Sequence, residues 1–338
     1  MGEATTDPLE EIVAVLRKHG LVDEDEHPAM TALPGGVSSD IWRVELRQGS
    51  VCIKRALPQL KVEARWQAPV ERNAYEYAWI ETVAKIYPDA VPEIIAHDKE
   101  VGLFVMSYLD PDKFPVWKTR LHEGHVDPAF AARVGTIVAG IHRATAGDEA
   151  LAKRFETDPI FYALRLESYL VATSERHPDL AAALRELVNV TASTKYVLVH
   201  GDISPKNILV GDKGPVFLDA ECAWYGDPAF DIAFCLNHFL LKCLWTPKAA
   251  RRFLDCFTAM TAAYRAAVTW EPKDELEARA AQLLPGLFLA RVDGKSPVEY
   301  LTKERDKEHV RKVARALLAR PPARLEQIRA AWARELSV

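Results

Sequence analysis

Three residues with side chains suited to phosphoryl transfer lie within eight positions of one another. They are His200, Asp202 and Asn207, and Asp219 follows twelve residues later at the end of an apolar run. Phosphoryl transfer from a nucleoside triphosphate needs a carboxylate that orients the attacking hydroxyl and accepts its proton. It also needs oxygen ligands that hold Mg²⁺ on the phosphates. The spacing therefore predicts a catalytic role for Asp202 and metal binding by Asn207 and Asp219.

Short apolar segments on either side of these residues would position them. Residues 196–199 are predicted to form a strand leading into His200, and residues 207–210 and 215–218 two strands joined by a turn at 211–214. Such a hairpin would bring Asn207 close to Asp219. An isolated His-x-Asp pair is more often a structural contact, but the agreement of these elements with the spacing favours the functional interpretation.

The rest of the chain divides into a mixed region and a mainly helical one. Helices are predicted from Pro8 to Gly20 and over 71–85, and strands over 41–46, 50–54, 93–97 and 103–108. After Asp110 the periodicity is helical except around the motif. We therefore expect an N-terminal nucleotide-binding lobe over 1–106 and a helical C-terminal lobe over 107–338 that carries the catalytic loop and the acceptor site. Pockets commonly form at such junctions, so the nucleotide is expected near Met106 and Tyr108.

Composition narrows the class of protein. The chain has 338 residues, of which 49% are hydrophobic and 27% charged, as in ordinary globular proteins. A net charge of −5 argues against a nucleic-acid partner. The five cysteines show no Cys-x-x-Cys spacing, which favours a reducing compartment without a metal cluster. The N-terminus does not resemble a secretory signal and no apolar run is long enough to span a bilayer, so we expect a cytoplasmic protein without a membrane partner.

With these motifs the sequence resembles the aminoglycoside phosphotransferase and choline kinase superfamily, and within it methylthioribose kinase-like sequences most closely. The closer likeness lies in residues 54–58 and 219–226, followed by residues 230–232. The resemblance implies an α+β, bilobal protein-kinase-like fold, with an antiparallel sheet in the small N-lobe and a larger, mainly helical C-lobe. It also implies ATP and Mg²⁺ as cofactors and a small-molecule hydroxyl as acceptor.

For the nucleotide, the resemblance implies that Lys54 binds the α- and β-phosphates and that a helical carboxylate holds its ammonium group. Glu76 is the first choice for this carboxylate and Glu71 its rival. The loop before the strand at residue 41 stands where a phosphate-covering loop is expected. Its glycines would let backbone N–H groups approach phosphate, and its serines would add hydroxyl contacts; the residues concerned are Gly35, Gly36, Ser38 and Ser39.

Two acidic residues beyond the catalytic loop receive different assignments. Glu221 lies two residues after Asp219, so in a continuing strand both side chains would point to the same side, and Glu221 is expected to join the metal site. Asp231 is expected at the start of a helix, where the resemblance implies that it bonds the backbone of the catalytic loop. His200 is likewise expected to brace this loop.

The acceptor is the least specified part of the prediction. Candidates for contacting it, besides Asp202, are residues on the loop after the metal site and in a polar turn late in the helical region; these are Trp224, Tyr225, Arg291, Asp293 and Lys295. The same residues could equally form a solvated loop. Net charge and local acidity rank neutral, sugar-like acceptors first and amines second, whereas Arg291 and Lys295 would favour an anionic one.

Three classes of function remain open. The leading prediction is an ATP- and Mg²⁺-dependent small-molecule kinase, and the alternative is a catalytically inactive kinase-like binding protein. A protein kinase is disfavoured because only eleven residues separate Asp219 from Asp231, which leaves no room for an activation loop. The sequence does not indicate the oligomeric state.

Overall fold

The computed structural model describes residues 8–34, 39–56 and 72–338. The chain forms two compact units, one of Met1–Thr82 with Pro92–Asp110 and the other of Val83–Val91 with Pro111–Val338. The sequence division at residue 106 placed Val83–Val91 in the first lobe, whereas this segment groups with the second unit. The N-terminal antiparallel sheet and the mainly helical remainder confirm the predicted α+β class.

The first unit is built on a five-stranded antiparallel sheet. Its strands, in the spatial order β1-β2-β3-β5-β4, are β1 (Met30–Ala32), β2 (Ser39–Leu46), β3 (Gly49–Ala56), β4 (Ile94–Asp98) and β5 (Leu103–Ser107). Helix α1 is Pro8–Lys18 and helix α2 is Arg72–Ala84. The sequence pattern predicted all of these elements except β1, whose three residues are too few to show alternation.

Helix α1 covers one face of this sheet. Its residues Ile12 and Leu16 are fully buried against Val44, Val51 and Ile53. Burying each such aliphatic side chain contributes about 1.5–3 kcal/mol. Because side chains alternate along a strand, the apolar contacts of β3 with α1 leave residue 54 on the opposite face, where a polar function can be built.

The second unit is mainly helical. Its α-helices are α3 (Trp117–His122), α4 (Pro128–Thr145), α5 (Glu149–Arg154), α6 (Asp158–Phe161), α7 (Ala172–Arg176), α8 (Ala181–Ser193), α9 (Pro228–Trp245), α10 (Ala250–Ala267), α11 (Lys273–Asp293), α12 (Glu304–Ala319) and α13 (Leu325–Leu336). A π-helical segment, Tyr162–Val171, joins α6 to α7. Short 3₁₀ turns are Pro88–Ala90, Pro178–Leu180, Pro205–Asn207 and Pro247–Ala249.

Helix α9 is the centre of this unit. It begins at Pro228 under an Asp227 cap whose side chain accepts from the Ala229 N–H, and nearly all of its residues are buried. A helix that is apolar on every side must be surrounded by other elements. The sequence analysis expected this helix to start at Asp231. The helix starts at Pro228 instead, and Asp231 lies within its first turn.

Two small β-ladders frame residues 200–207, the predicted catalytic loop. Strand β6 (Val197–Val199) pairs with β9 (Trp224–Gly226), and β7 (Ile208–Gly211) pairs with β8 (Gly214–Phe217) as the predicted hairpin. The sequence placed Trp224 and Tyr225 on a loop, which is wrong because both belong to β9. Three residues ending in glycine are too short a run for strand alternation to be visible.

A helix that crosses a bilayer must combine sufficient length with apolar character. None of the described helices is both long and apolar enough to do so.

Candidate active site

Asp231 of α9 binds the backbone of the catalytic loop. Its carboxylate accepts hydrogen bonds from the backbone N–H of His200 at 2.8 Å and of Gly201 at 2.9 Å. The ring Nε2 of His142 lies 3.2 Å from the same carboxylate, and Tyr264 Oη lies 2.8 Å from His142 Nδ1. All of these groups are buried, so the contacts fix the position of the loop backbone relative to α9. The predicted scaffolding role of Asp231 is confirmed.

Gly201 has a backbone conformation that few other residues could adopt here. Its φ is +79°, and a Cβ atom at this position would lie 2.5 Å from the carbonyl oxygen of Cys222. Glycine relieves both the left-handed strain and the clash. The chain can therefore turn sharply between the anchored His200 and Asp202.

His200 braces the loop through both ring nitrogens. Its Nδ1 accepts from the Asp202 N–H at 3.1 Å, and its Nε2 donates to the Leu218 carbonyl at 3.1 Å. Burial lowers the pKa of His200, which agrees with a neutral ring that accepts at one nitrogen and donates at the other. Because both nitrogens form hydrogen bonds, the imidazole connects the loop to the segment before Asp219.

The Asp202 carboxylate lies between two cations. Its Oδ2 is 3.1 Å from Nη2 of Arg165 and 3.2 Å from Nζ of Lys206. Arg165 also donates from Nε to the Gly201 carbonyl, so one guanidinium grips both the loop backbone and the carboxylate. Asn207 donates from Nδ2 to the Asp202 carbonyl at 3.2 Å. The carboxylate is thus held in one orientation, as an acceptor for a hydroxyl proton must be.

The hairpin joins Asn207 to the segment that carries Asp219. The Leu218 N–H donates to the Asn207 carbonyl at 2.9 Å, directly before Asp219. Asp219 has a φ of +68°, an uncommon left-handed conformation for a residue other than glycine. Such conformations cluster at functional sites, where surrounding contacts maintain the strain.

The carboxylate oxygens of Asp219 and Glu221 lie within 4.8 Å of each other. The sequence argument for this pairing assumed a continuing strand, which is wrong because β8 ends at Phe217. The left-handed turn at Asp219 brings the two groups together instead. Carboxylate oxygens are the hard donors that Mg²⁺ prefers, so Asp219 and Glu221 fit this ion, and the amide oxygen of Asn207, the third predicted ligand, is a donor of the same kind.

In the first unit, Lys54 and Glu76 form a buried ion pair. Their Nζ and Oε2 atoms are 2.7 Å apart, and both side chains are less than 5% exposed. The side chain of Asn73 in α2 donates to the Lys54 carbonyl at 3.4 Å, which ties the helix to β3. The expected ion pair with Glu76 is therefore present, and its rival Glu71 lies outside the described residues.

The other residues predicted to contact the nucleotide are described only in part. Gly35, Gly36 and Ser38 lie outside the described residues. Ser39 is buried at the start of β2, and Met106 is buried in β5. Tyr108 follows β5 and carries the guanidinium of Arg43 over its ring at 4.6 Å.

The predicted acceptor residues of the second unit do not form one group. Trp224 donates from Nε1 to Asp158 at 3.1 Å and stacks on Phe161 with the ring centres 4.1 Å apart. The Tyr225 hydroxyl donates to backbone carbonyls, including that of Tyr196 at 2.9 Å. These contacts direct both side chains into packing around β9.

The polar turn predicted here is wrong for Arg291 and Asp293, which lie in the last turn of α11, and the three residues occupy different environments. Asp293 accepts from His177 at 2.9 Å and from Arg311 at 2.8 Å, and Lys295 is half-exposed and paired with Glu167. Arg291 instead is buried, and its Nη1 donates to the Tyr169 hydroxyl at 3.0 Å. Of these three residues, the structure connects only Arg291 to side chains that pack near the catalytic loop.

Sequence reasoning missed both cations beside Asp202. Lys206 lies inside the motif, four residues after Asp202. It is the single lysine of residues 200–207, and this could have marked it as a candidate. Arg165 lies far upstream and had no motif to mark it. It projects from the π-helical segment, a geometry often found at functional sites.

Comparison with known proteins agrees with this geometry. Residues 29–242 match the model of the family described as phosphotransferase enzyme family. A methylthioribose kinase of Bacillus cereus (strain ZK / E33L) is 24% identical over 266 residues, which are 70% of this chain and 67% of that protein.

Two solved structures share the fold. The ethanolamine kinase of Plasmodium vivax has a TM-score of 0.54 at 14% identity and covers 98% of each chain. An amicoumacin kinase in complex with AMP-PNP and Ca²⁺ has a TM-score of 0.53 at 15% identity, covering 94% of this chain and 97% of its own.

Proposed function

The chain belongs to the phosphotransferase enzyme family, and from this membership we propose that it is a kinase transferring the γ-phosphate of ATP to a hydroxyl of a small molecule. The observation that carries the proposal is the orientation of the Asp202 carboxylate by Arg165 and Lys206 on an anchored loop. The similarity to a methylthioribose kinase, which is a small-molecule kinase, supports this proposal. The acceptor hydroxyl would donate to Asp202, which orients it and takes its proton as its oxygen bonds to the γ-phosphorus and the bond from that phosphorus to the bridging oxygen of ADP breaks.

The two cations beside Asp202 would have different tasks. Arg165 is held by the loop backbone and by the Leu164 carbonyl at 2.8 Å, so it serves to position the carboxylate. Lys206 is about half-exposed, and the Asp202 carboxylate raises the pKa of its ammonium group. A cation at this position would stabilise negative charge that develops on the transferred phosphoryl group.

The cofactors are assigned to separate sets of side chains. Asn207, Asp219 and Glu221 would hold Mg²⁺, which when bound neutralises phosphate charge. Lys54, restrained by Glu76, would bind the α- and β-phosphates of ATP, with residues around Gly35, Gly36, Ser38, Ser39, Met106 and Tyr108 completing the nucleotide site. An amicoumacin kinase of the same fold binds AMP-PNP with Ca²⁺, which supports a nucleotide and a divalent cation here.

The structure of the segment after Asp219 opposes a protein substrate. Strand β9 and the cap of α9 occupy the residues between Asp219 and Asp231, so no extended activation segment is present in this part of the described chain. The inactive alternative is disfavoured because Lys54, Asp202, Asn207 and Asp219 are all retained. A catalytically inactive copy is expected to lose at least one of them.

An acceptor screen that reads ADP release tests the proposal. We expect a hydroxylated small molecule to stimulate Mg²⁺-dependent ADP release, and Asp202→Asn to lower kcat by about 10²–10⁴-fold while Mg·ATP affinity changes little. Asp212→Asn, in the exposed turn of the β7–β8 hairpin, is the matched control and is expected to retain wild-type kcat. Nearly full activity in Asp202→Asn would contradict the assignment of Asp202.

A further inference from the structure

Three cationic side chains of the second unit, Arg291, Lys242 and Lys118, form a cluster around one pair of aromatic rings and the residues packed on it. Arg291 comes from α11, Lys242 from α9 and Lys118 from α3, so three separate helices supply the cluster. Arg291 is 8% exposed and Lys242 is 1% exposed. Burial of charged groups costs free energy unless other groups compensate for the lost water, so each of these cations needs an explanation.

The contacts of Arg291 leave part of its guanidinium unused. Nη1 donates to the Tyr169 hydroxyl at 3.0 Å, to the Ser296 hydroxyl at 3.2 Å and to the Ser296 carbonyl. The enclosed Nε has no hydrogen-bond partner among the described residues. Within the described residues no carboxylate forms an ion pair with Arg291, so its charge is not neutralised by direct contact.

Lys242 is held by aromatic rings. Its ammonium lies 4.6 Å from the ring centre of Trp245 and 4.7 Å from that of Tyr300, and these rings stack 4.5 Å apart. The Lys118 ammonium lies 5.9 and 5.7 Å from the same two rings and pairs with Glu299, whose side chain is mostly exposed. Two ammonium groups thus share one aromatic pair, with a single carboxylate beside them.

Two further polar atoms beside this cluster are enclosed. The Nε2 of His238 and the hydroxyl of Tyr300 have no hydrogen-bond partner within the described residues. Burial, together with the positive charges of Arg291, Lys242, Lys206 and Lys118, lowers the pKa of His238 well below its ordinary value. His238 is therefore neutral at pH 7, and either ring nitrogen can carry the hydrogen of a donor.

One layer of side chains connects this cluster to Asp202. The Arg165 guanidinium, which binds Asp202, lies 5.9 Å from the ring centre of Tyr169 and 5.7 Å from that of Phe234. The Tyr169 hydroxyl accepts from Arg291, and the Phe234 ring packs on that of His238 with centres 5.6 Å apart. Asp202 and Arg291 are therefore linked through two side chains, Arg165 and Tyr169, so the cluster lies one layer of side chains from the catalytic carboxylate.

We propose that the acceptor carries an oxyanion, a carboxylate or a phosphate, which Arg291 and Lys242 bind while the acceptor's hydroxyl lies at Asp202. Tyr300 and His238 would donate additional hydrogen bonds to this group, and Tyr169 positions Arg291. The charge class is opposite to the sequence-based ranking, which placed neutral acceptors first and amines second. The inference rests on the proposed kinase function and specifies the class of its acceptor.

Matched pairs of hydroxylated compounds test the acceptor class. In each pair the second compound carries an oxyanion where the first carries an uncharged oxygen group: glycerol with glycerate, glucose with gluconate, and ribose with ribose 5-phosphate, with ethanolamine as a cationic member. The carboxylates and the phosphate form separate arms that identify which oxyanion is preferred. We expect anionic members to show a kcat/KM at least about 10-fold above their neutral partners, as charge-assisted hydrogen bonds imply.

Variants assign this selectivity to the cluster. Arg291→Gln is expected to raise KM for anionic acceptors by about 10- to 100-fold and to leave KM for ATP unchanged. Lys242→Met is expected to act in the same direction, and it provides a second variant should Arg291→Gln fold poorly. Lys248→Gln changes an exposed lysine six residues beyond Lys242 and is expected to have no effect on either KM.

Calorimetry with inorganic phosphate, on protein saturated with Mg·AMP-PNP, separates this inference from the kinase proposal. Phosphate binding that is lost in Arg291→Gln, without ADP release from any acceptor, would support the oxyanion site and contradict the kinase function. ADP release from neutral or ethanolamine acceptors that Arg291→Gln leaves unchanged would overturn the oxyanion site and retain the kinase. Absence of both phosphate binding and turnover would contradict both.

Discussion

The catalytic loop and the cationic cluster lie in the same unit but satisfy their polar groups in opposite ways. Asp231 of α9 and His200 and Asp202 of the loop each have several protein partners within hydrogen-bond distance. The enclosed hydroxyl of Ser204 is the exception in this loop, since it has no partner among the described residues. In the cluster, Arg291 and His238 keep enclosed nitrogen atoms without partners in the described chain. Buried polar groups are normally paired, and exceptions call for an explanation. The loop is thus organised by the protein itself, whereas the cluster has bonding capacity left for a ligand.

The contrast is tested first by removing a hydrogen bond that holds the backbone of the catalytic loop. Asp231→Asn replaces one carboxylate oxygen by an amide that cannot accept from the His200 or Gly201 N–H. We expect the free energy of unfolding to fall by about 1–3 kcal/mol and kcat to fall by about 100-fold, because small displacements of a catalytic group are costly. Denaturant titration and steady-state kinetics measure the two effects.

Asp255→Asn provides the control for Asp231→Asn, since Asp255 is exposed on α10. It is expected to change neither the free energy of unfolding nor kcat appreciably. If Asp231→Asn matched the wild type in kcat, the catalytic loop would not depend on this anchor.

A smaller perturbation tests how Arg165 contributes. Arg165→Lys keeps the positive charge but cannot grip the Gly201 carbonyl and the Asp202 carboxylate with one planar group. We expect kcat to fall by about 10-fold, the loss of one charge-assisted hydrogen bond, while KM for ATP changes little. Arg185→Lys, on an exposed position of α8, controls for the substitution itself. An unchanged kcat would mean that charge alone suffices at this position.

The contrast between the regions also explains what could be predicted from the sequence. His200, Asp202 and Asn207 are close in the chain, and Asp219 follows one hairpin later, so their spacing reveals the loop and the β7–β8 ladder. Lys54 and Glu76 come from a strand and the next described helix, and it was the family resemblance that implied their ion pair, with Glu71 as the rival partner. Local contacts leave a signal in spacing and periodicity.

Residues that meet only through tertiary packing left no such signal. Arg165 reaches Asp202 from a π-helical segment, and the sequence gives only an ordinary helical pattern there. Arg291 and Lys242 are on different helices, so nothing in their spacing shows that they approach the same site. The left-handed turn at Asp219 was also missed, although it brings Asp219 and Glu221 together, because backbone conformation at a single residue is set by surrounding contacts.

The smallest expected effect is on the free energy of unfolding, which the burial of the Lys242 ammonium group lowers. Burial, reinforced by the neighbouring charge of Lys118, lowers the pKa of Lys242 from 10.5 to about 7. Glu299 and Cys235 oppose this shift, and Arg291 adds to it. The unfolded chain therefore binds more protons than the folded protein between pH 7 and 10.5, so the contribution of Lys242 to stability rises with pH across this window. Below pH 7 the cost of burying the ammonium is fully present.

Lys242→Met removes this cost while keeping an apolar side chain of similar length. We expect its melting temperature to exceed that of the wild type by about 2–4 °C per kcal/mol recovered, most clearly at pH 6, with the difference disappearing as pH approaches 10.5. Lys248→Met, on the exposed turn after α9, is expected to show no such pH dependence. Thermal unfolding of the three proteins at pH 6, 8 and 10 measures the effect. A Lys242→Met protein that is less stable than the wild type at pH 6 would mean that the ammonium group is compensated inside the protein, and the contrast with the self-satisfied catalytic loop would no longer hold.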